Sequence, residues 1–130
     1  MTVGVLLITH NRIGAELLET ATAMLGRCPL AAIAIEVREH DDPDALRDEI
    51  LTCAERLDDG AGLLVLTDLY GSTPANVTDA LGKRGRVQVL SGVNLPMLVR
   101  VLNYHQLDLM PLARKALSGG REGVLGCDEA

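Results

Sequence analysis

Val3-Gly4-Val5-Leu6-Leu7-Ile8-Thr9-His10-Asn11 sets the reading of everything around it. From Val3 to Ile8 no side chain is polar. An unbroken apolar run of this kind suits a strand buried on both faces, as in a parallel sheet covered by helices. The run is shorter than the roughly 20 apolar residues that a membrane span needs. It also lacks the basic leader of a signal peptide. We therefore expect a buried first strand in a cytoplasmic protein that does not insert into membranes.

Working outward, apolar stretches alternate with amphipathic ones. Residues 13–26 place Ile13, Leu17, Leu18, Ala21 and Leu25 at helical spacing, with Gly26 as a C-cap. Residues 31–37 read as a second strand. Asp42-Pro43-Asp44 starts a helix with an N-cap carboxylate, a proline and an acid, and this helix is expected to reach Leu57. Residues 62–67 (GLLVLT) form the third strand. Thr73-Pro74 repeats the cap-plus-proline start, for a helix ending near Leu81. Residues 86–90 form the fourth strand. Asn94 caps a further helix, expected to break near Asp108, resume to about Leu117 and stop at Gly119-Gly120. Residues 122–125 read as a short edge strand.

Strands alternating with helices imply an α/β fold: a mostly parallel open sheet with helices on both faces, in three layers. The chain has 130 residues, enough for one domain, expected over 1–126 with a loose tail at 127–130. Hydrophobic residues make up 48%, yet Trp and Phe are missing, so the core must be aliphatic. The formal net charge is −6 and no basic stripe occurs, which argues against nucleic acid as a partner. Cys28, Cys53 and Cys127 are scattered without a CxxC pair, so neither a disulfide framework nor a zinc site is expected. No Walker or dinucleotide motif is present, and no cofactor is expected.

In open α/β sheets chemistry gathers beyond the carboxyl ends of the strands, where strand order reverses. Strand one ends in Thr9-His10-Asn11. Strand three ends in Thr67-Asp68, followed by Leu69-Tyr70-Gly71-Ser72-Thr73-Pro74. Strand four leads into Ser91-Gly92-Val93-Asn94. In a 2-1-3-4 order, His10 and Asp68 face each other at the switch point. A neutral imidazole attacks phosphorus through the ring nitrogen that lacks a proton. A carboxylate bonded to the other nitrogen sets that tautomer and stabilises the cationic ring formed on attack. Amides of residues 73–76 at a helix start, with the Ser72 and Thr73 hydroxyls, can stabilise a phosphoryl anion, and Gly71 allows close approach.

Taken singly, each of these residues also has an ordinary use. A histidine at a strand end is usually structural, Asp68 can cap a loop, and Ser72-Thr73-Pro74 and Asn94 are first of all helix caps. His40 and His105 read as turn or helix-end residues. Neither has ligand-like spacing to His10, so no metal site is expected. Cys53 shares a helical face with Ile50 and Leu57 and reads as core.

The chain resembles the mannose-type enzyme IIA domain (EIIA) of the bacterial phosphoenolpyruvate:sugar phosphotransferase system (PTS). Four segments carry the resemblance, in order along one domain. They are Val5-Leu6-Leu7-Ile8-Thr9-His10, residues 66–76 (LTDLYGSTPAN), residues 91–98 (SGVNLPML) and Gly119-Gly120-Arg121-Glu122-Gly123-Val124. The resemblance implies a phosphocarrier of sugar transport that takes phosphate from the phosphohistidine of HPr and passes it to a IIB component. By motif match His10 is the histidine, attacking through Nε2. Asp68 orients it, and Thr73 is the helix-start hydroxyl. The resemblance also implies a homodimer and a sheet of four parallel strands with an antiparallel edge strand. Many members have Gly-Gly where this chain has Gly71-Ser72, and some have Thr where it has Leu69. The chain ends without a linker or fused IIB domain, from which a regulatory use is expected.

Two other readings remain open on sequence grounds. One is a receiver-like signalling domain phosphorylated on Asp68, although Thr9-His10-Asn11 stands where such a domain needs acids for magnesium. The other is a non-catalytic binding module, since folds are reused.

Overall fold

The computed structural model describes residues 2–69, 71–82 and 85–129, without the side chains of Ser72, Thr73, Pro74, Ala75, Thr78 and Glu129. Among these residues four strands are present: β1 (Gly4–His10), β2 (Ala32–Val37), β3 (Leu63–Thr67) and β4 (Val87–Ser91). They form one parallel sheet in the order β2-β1-β3-β4. Among the described residues five α-helices accompany them: α1 (Ile13–Leu25), α2 (Pro43–Leu57), α3 (Ser72–Leu81), α4 (Leu95–Asn103) and α5 (Leu109–Glu122). A short 3-10 turn, Cys127–Glu129, follows.

The apolar runs of β1 and β3 are explained by burial on both faces. Val5, Leu7, Leu64 and Leu66 pack with α1, α4 and α5 through Ala21, Leu98, Val101, Leu112 and Ala116. The alternate residues Leu6, Ile8, Leu63 and Val65 pack with α2 and α3 through Ile50, Ala54, Leu57, Val77 and Leu81. Each fully buried aliphatic side chain contributes about 1.5–3 kcal/mol over its exposed state. The two faces together give this aromatic-poor chain its three layers.

Local signals explain several helix ends. Asp42 accepts a hydrogen bond from the Asp44 N–H with Pro43 at the first helical position, as its sequence implies. Gly26 closes α1 in the left-handed conformation, with φ of 86°. The break expected near Asp108 separates α4 from α5.

Three expectations are corrected. Gly119-Gly120 does not end a helix, because α5 continues to Glu122. These glycines instead let α5 lie against α4: a Cβ at Gly119 would sit 2.7 Å from Arg100 Cβ, and one at Gly120 would sit 2.8 Å from Met97 Cε. Nor do residues 122–125 form the expected antiparallel edge strand among the described residues. Among the described residues no fifth strand joins the sheet, and α5 takes in residue 122, the first of the expected strand. Gly123 lies close against Pro96, where an added Cβ would sit 2.4 Å from its Cγ. Finally, α3 opens at Ser72 rather than after a Thr73 cap, so the hydroxyl residues fall in its first turn. Among the described residues, no helix is long and apolar enough to cross a membrane.

Candidate active site

β1 and β3 are hydrogen-bonded neighbours, and their connections leave on opposite sides of the sheet. The switch point therefore lies at their carboxyl ends. In the ladder Ile8 stands opposite Thr67, which sets Asp68 beside the last turn of β1. On the other side Thr9 pairs with Glu36 and His10 with Val37.

His10 and Asp68 meet there. The His10 ring nitrogen Nδ1 lies 3.0 Å from Asp68 Oδ2 and 3.2 Å from Oδ1. Asp68 Oδ2 also accepts from the His10 backbone N–H at 3.1 Å. An ionised carboxylate can only accept, so the bond places a proton on Nδ1, and in the neutral ring Nε2 is then the nitrogen with the lone pair. Exposure separates the two roles: the His10 side chain is 52% exposed and that of Asp68 only 15%. The ring thus stands open to solvent, while the carboxylate bonded to it is sheltered.

The turn after His10 is held by contacts that the sequence reading did not single out. The α1 N-cap position is Arg12, and no side chain caps it in the usual way. Instead Thr9, only 1% exposed, reaches forward from β1, and its Oγ1 accepts from the Gly14 N–H at 2.7 Å. Gly14 sits so close that a Cβ there would lie 2.9 Å from that oxygen. Asn11 has φ of 48°. Its N–H donates to the Val37 carbonyl at 3.0 Å. A threonine ending an apolar strand and an asparagine at the turn were the available signals.

Arg12 lies on the rim. Its guanidinium contacts Glu16 at 3.2 Å and Glu36 at 3.3 Å, with Glu19 at 3.8 Å. The Glu16 hydrogen bond and charge, then Glu36, hold its pKa above the ordinary guanidinium value. Glu36 also pairs with Arg38. These groups are largely exposed and add little to stability, but they tie the start of α1 to β2 beside His10.

The third strand end is braced as well. Thr67, fully buried, donates from Oγ1 to Ser91 Oγ at 3.0 Å. The Val93 N–H donates to the Thr67 carbonyl at 2.9 Å. Asn94 caps α4 as expected, accepting from the Met97 N–H at 2.9 Å, and its Nδ2 donates to the Gly120 carbonyl at 3.0 Å. The start of α3 follows Asp68 by four residues at the same edge of the sheet. Gly71 is exposed, and an added Cβ would meet nothing within 4 Å. Tyr70 and the hydroxyls of Ser72 and Thr73 lie outside the described residues.

The remaining candidates take structural places. His40 is exposed in the turn before α2. His105 lies in the α4–α5 turn, with its Nδ1 buried and unpartnered. Cys53 is buried, and burial, then the charge of Glu49, pushes its thiol pKa up, as suits a core residue. Among the described residues no group of three His, Cys, Asp or Glu side chains is placed to hold a metal ion.

The family described as "PTS system fructose IIA component" has a model that matches residues 4–115. The PTS system mannose-specific EIIAB component of Escherichia coli K12 is 30% identical over 127 residues, covering 95% of this chain. The chain spans 39% of that relative's length. Among solved structures, the mannose/sorbose specific IIA subunit from Enterococcus faecalis superposes with a TM-score of 0.84 at 25% identity, covering 97% of this chain and 95% of that one. The EIIA component from Streptococcus agalactiae shares the fold, with a TM-score of 0.82 at 23% identity over 98% and 99% of the two chains.

Proposed function

We propose, from the premise that this chain belongs to the PTS IIA family and is an EIIA component of a sugar phosphotransferase system, that it carries a phosphoryl group on His10. The observation that carries the reading is the pairing of an exposed imidazole with a sheltered carboxylate at the sheet's switch point.

The chemistry follows from that pairing. Nε2 of His10 attacks the phosphorus of the HPr phosphohistidine in line, forming one P–N bond as the other breaks. The Nδ1 proton stays in place, and the Asp68 carboxylate stabilises the positive ring. The ring later yields the phosphoryl group to a IIB component by the same route in reverse. No bond to Asp68 forms. Positioning and electrostatics supply the catalysis. The phosphoryl oxygens lie against the start of α3, whose amides carry the positive end of the helix dipole. Open space at Gly71 suits that approach, with Ser72 and Thr73 as further donors. The starts of α1 and α4 already engage Gly14 N–H with Thr9 and Met97 N–H with Asn94.

The same reading includes a cytoplasmic site of action and a domain over 1–126. It also includes a homodimer in which the antiparallel edge strand forms. Support for the dimer comes from exposed Val124 and Leu125 just past α5, and from the outer edge of β4, unpaired among the described residues. The receiver-like alternative is disfavoured by geometry, since both Asp68 oxygens face His10.

The test is incubation with phosphoenolpyruvate, enzyme I and HPr, followed by mass spectrometry locating the added phosphate. One acid-labile, base-stable phosphate on His10, absent from His10→Ala, is expected. Full labelling of His10→Ala would sink the assignment.

A further inference from the structure

Asn11 is the one non-glycine residue with positive φ among those described. An L side chain in the left-handed region crowds its own backbone, and asparagine is among the few types that tolerate it. Here the conformation is imposed from both ends. The His10 N–H is held by Asp68 on the β3 side, and the Asn11 N–H by the Val37 carbonyl on the β2 side. By Gly14 the chain is packed back on β1, with its N–H on Thr9 Oγ1. The reversal must fall on Asn11 and Arg12. Arg12 has an unremarkable φ of −93° and ψ of 11°, so the left-handed step rests on Asn11.

We propose that Asn11 is a positioning residue for His10: its left-handed backbone turns the chain so that Nδ1 meets Asp68 while Nε2 faces outward. The inference deepens the phosphocarrier reading and rests on it. What matters is φ and not the Asn11 amide group, which makes glycine an adequate replacement and a β-branched residue a poor one.

The experiment compares N11G, N11A and N11V in the full chain. Nitrogen-15 NMR of the His10 ring reports the tautomer, and phosphorylation by phospho-HPr is measured over a range of HPr concentrations. N11G should keep the Nδ1–H tautomer and the wild-type rate. N11V should show mixed tautomers and a maximal rate lower by about tenfold, the order of the left-handed penalty, with little change in half-saturating HPr. If N11V does not fold, N11A carries the comparison, with a smaller loss in the same direction. A native tautomer and native rate in the folded β-branched or alanine variant would overturn the proposal. So would equal damage in N11G. A wild-type chain that accepts no phosphate refutes the phosphocarrier reading, and the tautomer comparison then still decides whether Asn11 orients the ring.

Discussion

Asp68 holds His10 twice through one oxygen: Oδ2 lies 3.1 Å from the backbone nitrogen and 3.0 Å from ring Nδ1. The main-chain bond locates the end of β1 relative to β3, and the ring bond orients the imidazole. One side chain thereby couples the register of the sheet to the direction of a reactive nitrogen.

The two functions of Asp68 should separate on mutation. In Asp68→Asn the amide oxygen can still accept from the His10 N–H, so the fold should hold. The ring loses its charged partner, and transfer from phospho-HPr should slow by about 10- to 100-fold, the usual effect of removing an orienting partner. Unchanged transfer with an unchanged denaturation midpoint would remove Asp68 from the mechanism.

Thr9 should matter for stability beyond its size. Thr9→Val keeps the shape but leaves the buried Gly14 N–H unpaired, at a cost of about 1–3 kcal/mol. Thr9→Ser retains the oxygen and should recover most of it. Urea denaturation of the three proteins measures the difference, and equal midpoints for the valine and serine variants would show that the bond is dispensable.

Asn94 joins the start of α4 to the last turn of α5. Asn94→Ala loses both the cap on Met97 and the tie to Gly120, and should cost about 1–2 kcal/mol. Asn94→Asp keeps the cap but sets a carboxylate against the Gly120 carbonyl. Hydrogen exchange at the end of α5 should therefore quicken in both variants, while α4 amides loosen mainly in the alanine variant.

Gly4 lies where β1 passes the end of α2, and a Cβ there would stand 2.6 Å from the Leu57 carbonyl oxygen. Backbone cannot yield as a flexible side chain can. Gly4→Ala should destabilise by about 1–3 kcal/mol. Gly82→Ala, which meets nothing within 4 Å, should stay within about 0.5 kcal/mol of the parent. Thermal unfolding of the pair checks the contrast.

Much of this molecule could be read from residue order, because its signals are local. Runs of aliphatic residues in β1 and β3, the Asp42-Pro43 start of α2 and the Asn94 cap depend on neighbours a few positions away. The four strands and the pairing expected at residues 10 and 68 followed from those signals and the reversal rule for open sheets. The misplaced end of α5 and the edge strand expected after it share one cause. Gly119-Gly120 looks like a helix stop in one dimension but serves the approach of α4, about 20 residues distant, and α5 therefore runs on into residue 122, where the edge strand was expected to begin. Likewise a threonine at a strand end and an asparagine after it are weak local signals, which by themselves assign neither Thr9 as the cap of α1 nor Asn11 as the left-handed step that leaves Nε2 outward. Those assignments depend on which groups meet when two strands, a returning helix and a carboxylate 58 residues away compete for the same donors, and only the packed chain settles that competition.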